Sequence, residues 1–287
     1  MKMGAFSMHI PAKVGQAIRY DEHQIPFGEY SDFILRSAYQ PIYKIASNTT
    51  VELHGFEGLI RVYLGGRLID TKSFLDSVIP EHKLHVEMMC NALHVSSYKC
   101  SKTIGKTLFL NINAENFPSS EVAESEMYYL FSQLRGNGLD KGKVVFELHN
   151  GAVAGPYVLT KLCEMFRGNG FEFALDDFGV EHSSIERYIL LRPNIIKINR
   201  GLFIDSERFR RVESLMGSLV MSFRDNGACV LMDCIETDYQ LAAALQMEVT
   251  LLQGYYLGRP QLHPVQCNHE LVVPNALKMP SLSVISA

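Results

Sequence analysis

The sequence predicts an α/β fold and, within that class, a modified TIM (β/α)8 barrel. Strand and helix patterns alternate from about residue 34 to about residue 262 with short turns between them, which is typical of a parallel sheet covered by helices. Roughly eight such units fit a closed barrel better than an open sheet. No glycine-rich phosphate-binding motif follows the first strand, which weakens the alternative of a dinucleotide-binding open sheet.

The barrel begins with two strand patterns that lie close together in the chain. They cover residues 37–45 and 51–64, and the short turn SNTT lies between them. A turn of this length allows a hairpin but not a parallel crossover. We therefore expect one antiparallel strand pair at the start of the barrel, and we expect the strand of Glu57 to be the one that runs in the reverse direction.

The remaining patterns alternate regularly along the chain. Residues 72–95 have a helical periodicity that is interrupted near Pro80. Further strands are predicted at residues 106–113, 143–150, 171–177, 194–199, 228–236 and 249–258. Further helices are predicted at residues 120–138, 155–170, 183–193, 206–227 and 237–247. Glycine closes two of these helices, as expected for a residue that ends a helix in the left-handed conformation.

The composition excludes several classes of protein. The chain has 287 residues, of which 47% are hydrophobic, so it can bury a sizeable core. Its net charge of −4 does not favour DNA or an anionic membrane as the main partner. No apolar run reaches about 18 residues, and no signal peptide is predicted. Six scattered cysteines without CxxC spacing indicate a cytoplasmic protein without a disulfide framework or a zinc site.

We divide the chain into three parts. Residues 1–33 contain glycine, proline and histidine without a clear period, and they are expected to form an N-terminal extension. Residues 34–262 form the barrel domain. Residues 263–287 form a C-terminal tail that contains proline and has no regular pattern. The sequence does not indicate a role for either flanking part.

Polar side chains stand at or near the ends of most predicted strands. They are Glu57, Asn111, Glu147, Asp176, Asp177, Lys197, Asp233, Glu236 and Gln253. In a barrel the C-terminal strand ends converge on one mouth, so these side chains are expected to meet. Crowded carboxylates repel one another unless cations neutralise them, and oxygen ligands suit Mg²⁺ or Mn²⁺. Two metal ions held by the adjacent aspartates would activate a water for in-line displacement at phosphorus, with Lys197 stabilising charge or orienting the water.

Each of these residues has a plainer interpretation when it is taken alone. A single acidic residue at a strand end is more often a helix cap or a turn former. Lys197 would be a surface lysine, and Asn111 or Glu236 would be a turn residue. Recurrence on six strands favours a metal site. We interpret His54 and His149, which lie beside site candidates, as local packing, since the histidines lack the spacing of a zinc site.

Several motifs resemble the EAL domain family, which hydrolyses the bacterial second messenger cyclic di-GMP to linear pGpG. They are YQPIY at residues 39–43, GFEGLIR at 55–61, NIN at 111–113, DDFG with the following SS and IIKI, DCIET, and QGYYLGRP. The resemblance covers about residues 34–262. It implies a modified TIM barrel with an antiparallel strand pair, in agreement with the short turn between the first two strands.

The resemblance also implies roles for individual residues. The family's metal ligands correspond to Glu57, Asn111, Glu147, Asp176 and Asp177. Its catalytic residues near the attacking water correspond to Lys197, Asp233, Glu236 and Gln253. Its contacts to the dinucleotide correspond to Gln40 and Arg61, and a guanidinium such as that of Arg61 forks well onto a phosphate. A homodimer is also implied, with residues 178–184 coupling metal binding to the dimer interface.

Four positions depart from the family pattern. Gly58 replaces the alanine of the signature, a change that we expect to be minor. Asn150 stands where a glutamate orders the loop 178–184, and Asn199 replaces an aspartate. Asp233 replaces a glutamate and is one methylene shorter. A base displaced by about 1 Å can cost on the order of a hundredfold in rate.

Three functions remain open on the sequence alone. The retained ligands favour an active phosphodiesterase that uses Mg²⁺ or Mn²⁺, at a full or a reduced rate. Asn150, Asp233 and Asn199 motivate a catalytically silent receptor that binds cyclic di-GMP and passes the signal to a regulatory protein partner. The third alternative is a protein-interaction module that binds no nucleotide, and the retained Gln40 and Arg61 argue against it.

Overall fold

The computed structural model describes residues 17–47, 50–99, 105–149, 156–178, 185–198, 206–262 and 267–273. Of the residues discussed above, Asn150 and Asn199 lie outside these ranges, as does the loop 178–184 apart from Phe178. Within the described ranges, no helix is long and apolar enough to cross a membrane. The five cysteines in these ranges are free thiols.

The secondary structure follows the predicted alternation. The strands are β1 (Ile18–Tyr20), β2 (Pro26–Tyr30), β3 (Phe33–Ser47), β4 (Thr50–Leu64), β5 (Arg67–Ile69), β6 (Thr107–Asn113), β7 (Val144–His149), β8 (Glu172–Phe178), β9 (Ile195–Ile198), β10 (Cys229–Met232), β11 (Leu251–Gln253), β12 (Gln261–Leu262) and β13 (Glu270–Val272). The helices are α1 (Thr71–Ser77), α2 (Pro80–Lys99), α3 (Ser120–Gly136), α4 (Pro156–Asn169), α5 (Ile185–Leu191), α6 (Ser206–Asp225) and α7 (Asp238–Gln246).

Eight of the strands close into a barrel, which confirms the predicted fold. Their order around the barrel is β3, β11, β10, β9, β8, β7, β6 and β4, and β4 pairs back with β3. Strand β3 is antiparallel to both of its barrel neighbours, β4 and β11. The other barrel strands are parallel to one another. The sheet is therefore a TIM-type barrel with one reversed strand.

The expected direction of the Glu57 strand is wrong. Glu57 lies on β4, which is parallel to β6, and the reversed strand is β3, which carries Gln40. A hairpin determines only that its two strands oppose each other. Because β4 is the strand followed by the first helices, it takes the common direction of the strand–helix units, and β3 is left reversed.

The predicted break near Pro80 is confirmed. Helix α1 ends at Ser77 and α2 begins at Pro80, where the fixed φ of proline suits a first helical turn and its missing N–H breaks no helical bond. The side chain of Asp70 caps α1 by accepting from the backbone N–H of Ser73 at 2.8 Å. The two helices follow β4 and the short strand β5, and residues of both line a cleft together with Glu57.

Short strands extend the sheet on both sides of the barrel, and the sequence pattern did not predict them. Strand β2 pairs with β3, β1 pairs with β2, and β13 pairs with the first residues of β4. Strands of three to five residues are too short to show a clear alternation of polar and apolar residues. Part of the predicted N-terminal extension and part of the predicted tail therefore belong to the sheet.

Candidate active site

Six strands place a polar residue two positions after an apolar residue of the barrel interior. The interior residues are Phe109, Val145, Ala174, Ile195, Leu231 and Leu251. The polar residues two positions later are Asn111, Glu147, Asp176, Lys197, Asp233 and Gln253. Side chains alternate between the two faces of a strand, so residues two apart point to the same side. The polar set therefore forms a layer above the apolar interior, at the C-terminal ends of the strands.

Lys197 is at the centre of this layer. Its Nζ lies 3.0 Å from Oε2 of Glu57 and 3.1 Å from Oε2 of Glu147. The side chain of Lys197 is 3% exposed and that of Glu147 is 0% exposed. Nε2 of Gln253 donates to Oε2 of Glu57 at 2.7 Å. The structure thus brings together predicted site residues from β4, β7, β9 and β11 in one buried network.

Burial and charge shift the pKa values of these groups. Burial alone would raise the pKa of Glu57, but the charge of Lys197 and the hydrogen bond from Gln253 lower it to about 2. Burial raises the pKa of Glu147 well above its usual range, and the neighbouring charge of Glu57 acts in the same direction. Burial would lower the pKa of Lys197, yet Asp176 and the other carboxylates hold it well above its usual range. The surrounding carboxylates thus favour the protonated form of Lys197.

The cluster has a surplus of carboxyl groups and of oxygen acceptors over cations. Four carboxylates, those of Glu57, Glu147, Asp176 and Asp233, act electrostatically on Lys197. Oε1 of Glu147 and Oε1 of Gln253 are buried without a hydrogen-bond partner within the described part of the chain. Buried polar atoms are normally paired, and crowded carboxylates need cations. The donor set is therefore suited to hard divalent cations such as Mg²⁺ or Mn²⁺.

Two adjacent aspartates reach the same site because β8 is irregular at its end. Neighbouring residues of a regular strand point to opposite faces. Asp177 has φ 52°, in the left-handed region, and the register between β8 and β9 shifts between Leu175 and Phe178. The backbone N–H of Asp177 donates to Oδ1 of Asp176 at 2.8 Å. This bulge turns the second carboxylate toward the first, as bulges near active sites commonly do.

Asn111 and His149 connect the two sides of the cluster. Nδ2 of Asn111 lies 3.2 Å from Oε1 of Glu57 and 3.2 Å from the carbonyl oxygen of Gly58. Oδ1 of Asn111 lies 2.8 Å from Nε2 of His149, whose Nδ1 lies 3.3 Å from Oδ2 of Asp176. His149 is thus part of the site, which its interpretation as local packing did not anticipate. Its position two residues after Glu147 was the available signal.

Asp233 borders the cluster at a longer distance. Its Oδ2 lies 3.8 Å from Nζ of Lys197, and its Oδ1 accepts from the backbone N–H of Cys234 at 2.5 Å. Burial raises the pKa of Asp233 to about 6, although the charge of Lys197 opposes the shift. Cys234 has φ 60°, so the chain turns sharply directly after the carboxylate. The short side chain is held close to its own backbone.

The other three predicted site residues surround the cluster. Gln40 is buried, faces Glu57 across the β3–β4 pair, and donates from Nε2 to the carbonyl oxygen of Gly258 at 3.2 Å. Arg61 lies further along β4, half-buried, and its Nη1 donates to the carbonyl oxygen of Ile60 at 3.1 Å. Glu236 is exposed, and its backbone N–H donates to Oε1 of Gln240 at 2.7 Å. The structure places Glu236 on the surface, outside the buried cluster.

A cleft of about 620 Å³ adjoins the cluster on the side of α1 and α2. Glu57, Asn111 and His149 are among the residues that line it. Its wall includes Glu87, which accepts from the backbone N–H of Asn113 at 2.9 Å and from the side-chain amide of Asn116. Burial raises the pKa of Glu87 to about 7. Sequence reasoning did not single out this residue, because one acidic residue within a helical pattern is normally solvent-exposed.

The fold and the site together define a TIM-type barrel with a buried lysine–carboxylate cluster of metal-binding character beside an open cleft. The EAL domain family matches residues 32–260, which is most of the chain. The chain therefore belongs to the EAL domain family, and the family expected from the motifs is confirmed.

Known proteins of this family are similar to most of the chain. The EAL-domain-containing protein YkuI of Bacillus subtilis is 28% identical over 227 residues, which cover 77% of this chain and 54% of YkuI. The cyclic di-GMP phosphodiesterase RocR of Pseudomonas aeruginosa is 24% identical over 154 residues, which cover 53% of this chain and 38% of RocR. The chain thus spans about half of the length of YkuI and a smaller share of RocR.

Solved structures show the same fold. YkuI in complex with substrate cyclic di-GMP and calcium aligns with a TM-score of 0.68 at 22% identity, covering 81% of this chain and 57% of that one. A standalone EAL protein from Vibrio cholerae O395, bound to cyclic di-GMP, aligns with a TM-score of 0.71 at 22% identity, covering 82% of this chain and 96% of that one.

Proposed function

We propose that this chain is a metal-dependent phosphodiesterase that hydrolyses cyclic di-GMP to linear pGpG with Mg²⁺ or Mn²⁺ in a two-metal site. The observation that carries the proposal is the buried network in which Lys197 contacts Glu57 and Glu147 at 3.0 and 3.1 Å. A lysine and four carboxylates with so little exposure are costly to bury, and such arrangements are concentrated at functional sites.

The residues that would hold the metal ions are the carboxylates and the amide around Lys197. They are Glu57, Asn111, Glu147, Asp176 and Asp177. Oε1 of Glu147, which has no hydrogen-bond partner among the described residues, and the four carboxyl groups around one lysine support this assignment. When bound, the metal ions supply Lewis-acid chemistry, which activates a water and stabilises charge on the phosphate.

The remaining site residues would act on the water and on the phosphate. The carboxylates around Lys197 favour its protonated form, which would stabilise negative charge by hydrogen bonding. Asp233, beside Lys197, is the carboxylate placed to accept the proton of the attacking water. The water oxygen would bond to phosphorus as its proton passes to Asp233. The bond from phosphorus to the 3′ oxygen breaks, and that oxygen takes a proton from solvent and leaves as a hydroxyl, while Asp233 returns its proton to solvent. One phosphodiester is opened and the other remains, which yields the linear product.

The choice of a cyclic dinucleotide is supported by the cleft and by the relatives. The cleft opens directly from Glu57 and Asn111, so a substrate in it would reach the cluster. Gln40 and Arg61, on the two strands of the β3–β4 pair, would contact the dinucleotide. YkuI and the Vibrio cholerae protein have been solved with cyclic di-GMP, and RocR is a cyclic di-GMP phosphodiesterase.

A second candidate is a receptor that binds cyclic di-GMP without hydrolysing it. The contact of 2.5 Å between Oδ1 of Asp233 and the backbone N–H of Cys234 favours it, because this hydrogen bond holds the shortened carboxylate away from the centre of the cluster. In either case we propose a homodimer and, for the receptor, a regulatory protein partner. These assemblies are expectations from the family resemblance.

The two candidates are separated by one assay on the full chain. Purified protein is incubated with cyclic di-GMP in the presence of Mg²⁺, Mn²⁺ or EDTA, pGpG is resolved by chromatography, and nucleotide binding is measured by calorimetry on the same preparation. Metal-dependent pGpG supports the phosphodiesterase. Binding without product supports the receptor. If the protein shows no binding and forms no product, both candidates are excluded.

A further inference from the structure

We propose that His149 is a nitrogen ligand of the metal site, next to Asp176 and Asp177, and that this site therefore favours a transition ion such as Mn²⁺ or Co²⁺ over Mg²⁺. The inference rests on the metal site of the proposed function and adds a residue to it. The ligand atoms of His149, Asp176 and Asp177 all lie within 4.8 Å of one another.

The distances fit a shared ion. Nδ1 of His149 and Oδ2 of Asp176 are 3.3 Å apart. Two atoms at this separation can each lie about 2.1 Å from one metal ion, the usual length of bonds from imidazole nitrogen and carboxylate oxygen. The side chain of His149 is 38% exposed and lines the cleft, so an ion can reach it from solvent.

The hydrogen bonds of Asn111 determine which nitrogen of His149 is available. Nδ2 of Asn111 is directed at the carbonyl oxygen of Gly58, which can only accept, so Oδ1 is the atom directed at His149. Nε2 of His149 must then donate, and in the neutral ring Nδ1 keeps its lone pair. That lone pair faces a carboxylate oxygen of Asp176. Two electron pairs in this arrangement repel unless a metal ion or a proton lies between them, and the first case matches a ligand whose other nitrogen is held by an outer partner.

An independent feature of the same strand points to the same place. Glu147 leaves β7 on the same face as His149, two residues earlier, and its Oε1 is fully buried with no hydrogen-bond partner within the described residues. Asp176 is among the charges that act on Glu147, so the two carboxylates are close. Within the described residues, Glu147 thus offers an oxygen without a hydrogen-bond partner, and His149 offers a nitrogen that faces Asp176.

The chemistry of the ligands determines the metal preference. Mg²⁺ prefers oxygen ligands and retains several waters, whereas imidazole suits first-row transition ions. A site that adds one imidazole nitrogen to two aspartates gains affinity for Mn²⁺ and more for Co²⁺, in the usual order of stability. The competing account is that the His149 ring carries two protons and pairs with Asp176 without any metal ion.

The test is the detection of a metal–nitrogen bond in the full-length chain, with no substrate present. Mn²⁺ is added, and pulsed electron paramagnetic resonance is used to detect echo modulation from a directly bound nitrogen. The same measurement on protein labelled with ¹⁵N-histidine identifies the signal as histidine without any substitution. His149→Gln is expected to abolish the signal and to weaken Mn²⁺ binding roughly tenfold or more. Mg²⁺ affinity is expected to change by less than about threefold. His23→Gln, at an exposed histidine, is the matched control and is expected to retain both.

The outcomes separate this inference from the proposed function. A histidine nitrogen signal supports the inference even if no pGpG is formed, in which case only the phosphodiesterase fails. If pGpG is formed but the bound Mn²⁺ shows no modulation from nitrogen, the inference is overturned and the proposed phosphodiesterase activity stands. Failure to bind Mn²⁺, or equally tight binding by His149→Gln, also overturns it.

Discussion

Gly58 and His94 occupy adjoining space so closely that a β-carbon at position 58 would lie 2.9 Å from Cγ of His94. His94 is buried, and its Nδ1 lies 2.9 Å from Oγ of Ser37. Burial lowers the pKa of His94 to about 4, so the ring is neutral. The glycine that replaces the family's alanine is therefore matched to a neighbouring side chain, and the replacement is not minor.

Gly58→Ala is expected to lower stability by about 1–3 kcal/mol, the usual cost of overpacking a buried position. It is also expected to reduce hydrolysis, because a shift of the backbone at residue 58 would move the neighbouring Glu57, a proposed metal ligand. Urea unfolding and pGpG formation measure the two effects. In a chain that already carries His94→Ala, the methyl group added by Gly58→Ala has space. The loss of stability caused by Gly58→Ala should therefore largely disappear in that background. Equal costs of the methyl with and without His94 would show that the two residues are not matched.

Removal of the central cation should expose the repulsion within the cluster. Lys197→Met is expected to lower the free energy of unfolding by about 3–5 kcal/mol without added metal, since buried carboxylates lose their partner. Divalent metal should recover part of this loss by binding the folded state. Thermal unfolding with Mn²⁺ and with EDTA tests both points. Lys99→Met, at an exposed lysine of α2, is the control. A destabilisation of the same size in both variants would contradict the account.

Glu87 should make stability depend on pH. Its pKa rises from 4.5 to about 7, so between these values the folded protein retains a proton that the unfolded chain releases. The free energy of unfolding should therefore fall as pH increases from about 4.5 to 7, by about 1–3 kcal/mol in total. Glu87→Gln should remove this slope and be more stable than the original chain at pH 8. Urea unfolding at pH 5 and pH 8 provides the comparison.

The matched control for Glu87 is Glu81→Gln, at an exposed position of the same helix. It is expected to leave the pH dependence unchanged. An identical slope in the original chain and in Glu87→Gln would mean that this carboxyl does not retain its proton in the folded state.

Lengthening the short carboxylate should increase turnover. Asp233→Glu places the carboxylate one methylene further from the backbone, beyond the N–H of Cys234 and toward Lys197. If the base is displaced by about 1 Å, the gain is on the order of tenfold to a hundredfold in rate. Single-turnover formation of pGpG measures it. An unchanged or slower rate, with normal binding of cyclic di-GMP, would rule out the short base as the limit on turnover.

The barrel and most of the cluster could be predicted because both depend on local patterns. The hydrophobic periodicity of the sequence indicates the alternation of strands and helices. A polar residue at the end of an apolar parallel strand lies at the C-terminal end of the barrel. Lys197 and Gln253 were found in this way. The rule fails where the backbone leaves regular geometry. Glu236 follows the sharp turn at Cys234 and lies on the surface.

The features that could not be predicted depend on neighbours that are distant in sequence. The reversed direction belongs to β3 because of how the sheet closes, which a hairpin alone does not determine. His149 joins the site through Asn111, 38 residues earlier in the chain, and through Asp176. The need for a glycine at position 58 is explained only by the contact with His94 on α2. In each case the informative contact joins two elements, and no pattern within one element reports it.

The most direct test of the central claim is a single-turnover comparison of the original chain with Glu147→Gln, at saturating Mn²⁺ and with protein in excess of cyclic di-GMP. Glu147 is fully buried, contacts Lys197 at 3.1 Å, and has an Oε1 without a hydrogen-bond partner in the described part of the chain, so the claim that this cluster performs hydrolysis depends on it. The account predicts metal-dependent pGpG from the original chain and a rate at least about a hundredfold lower in the variant. Equal rates in the two proteins, or bound nucleotide without product in the original chain, would contradict it.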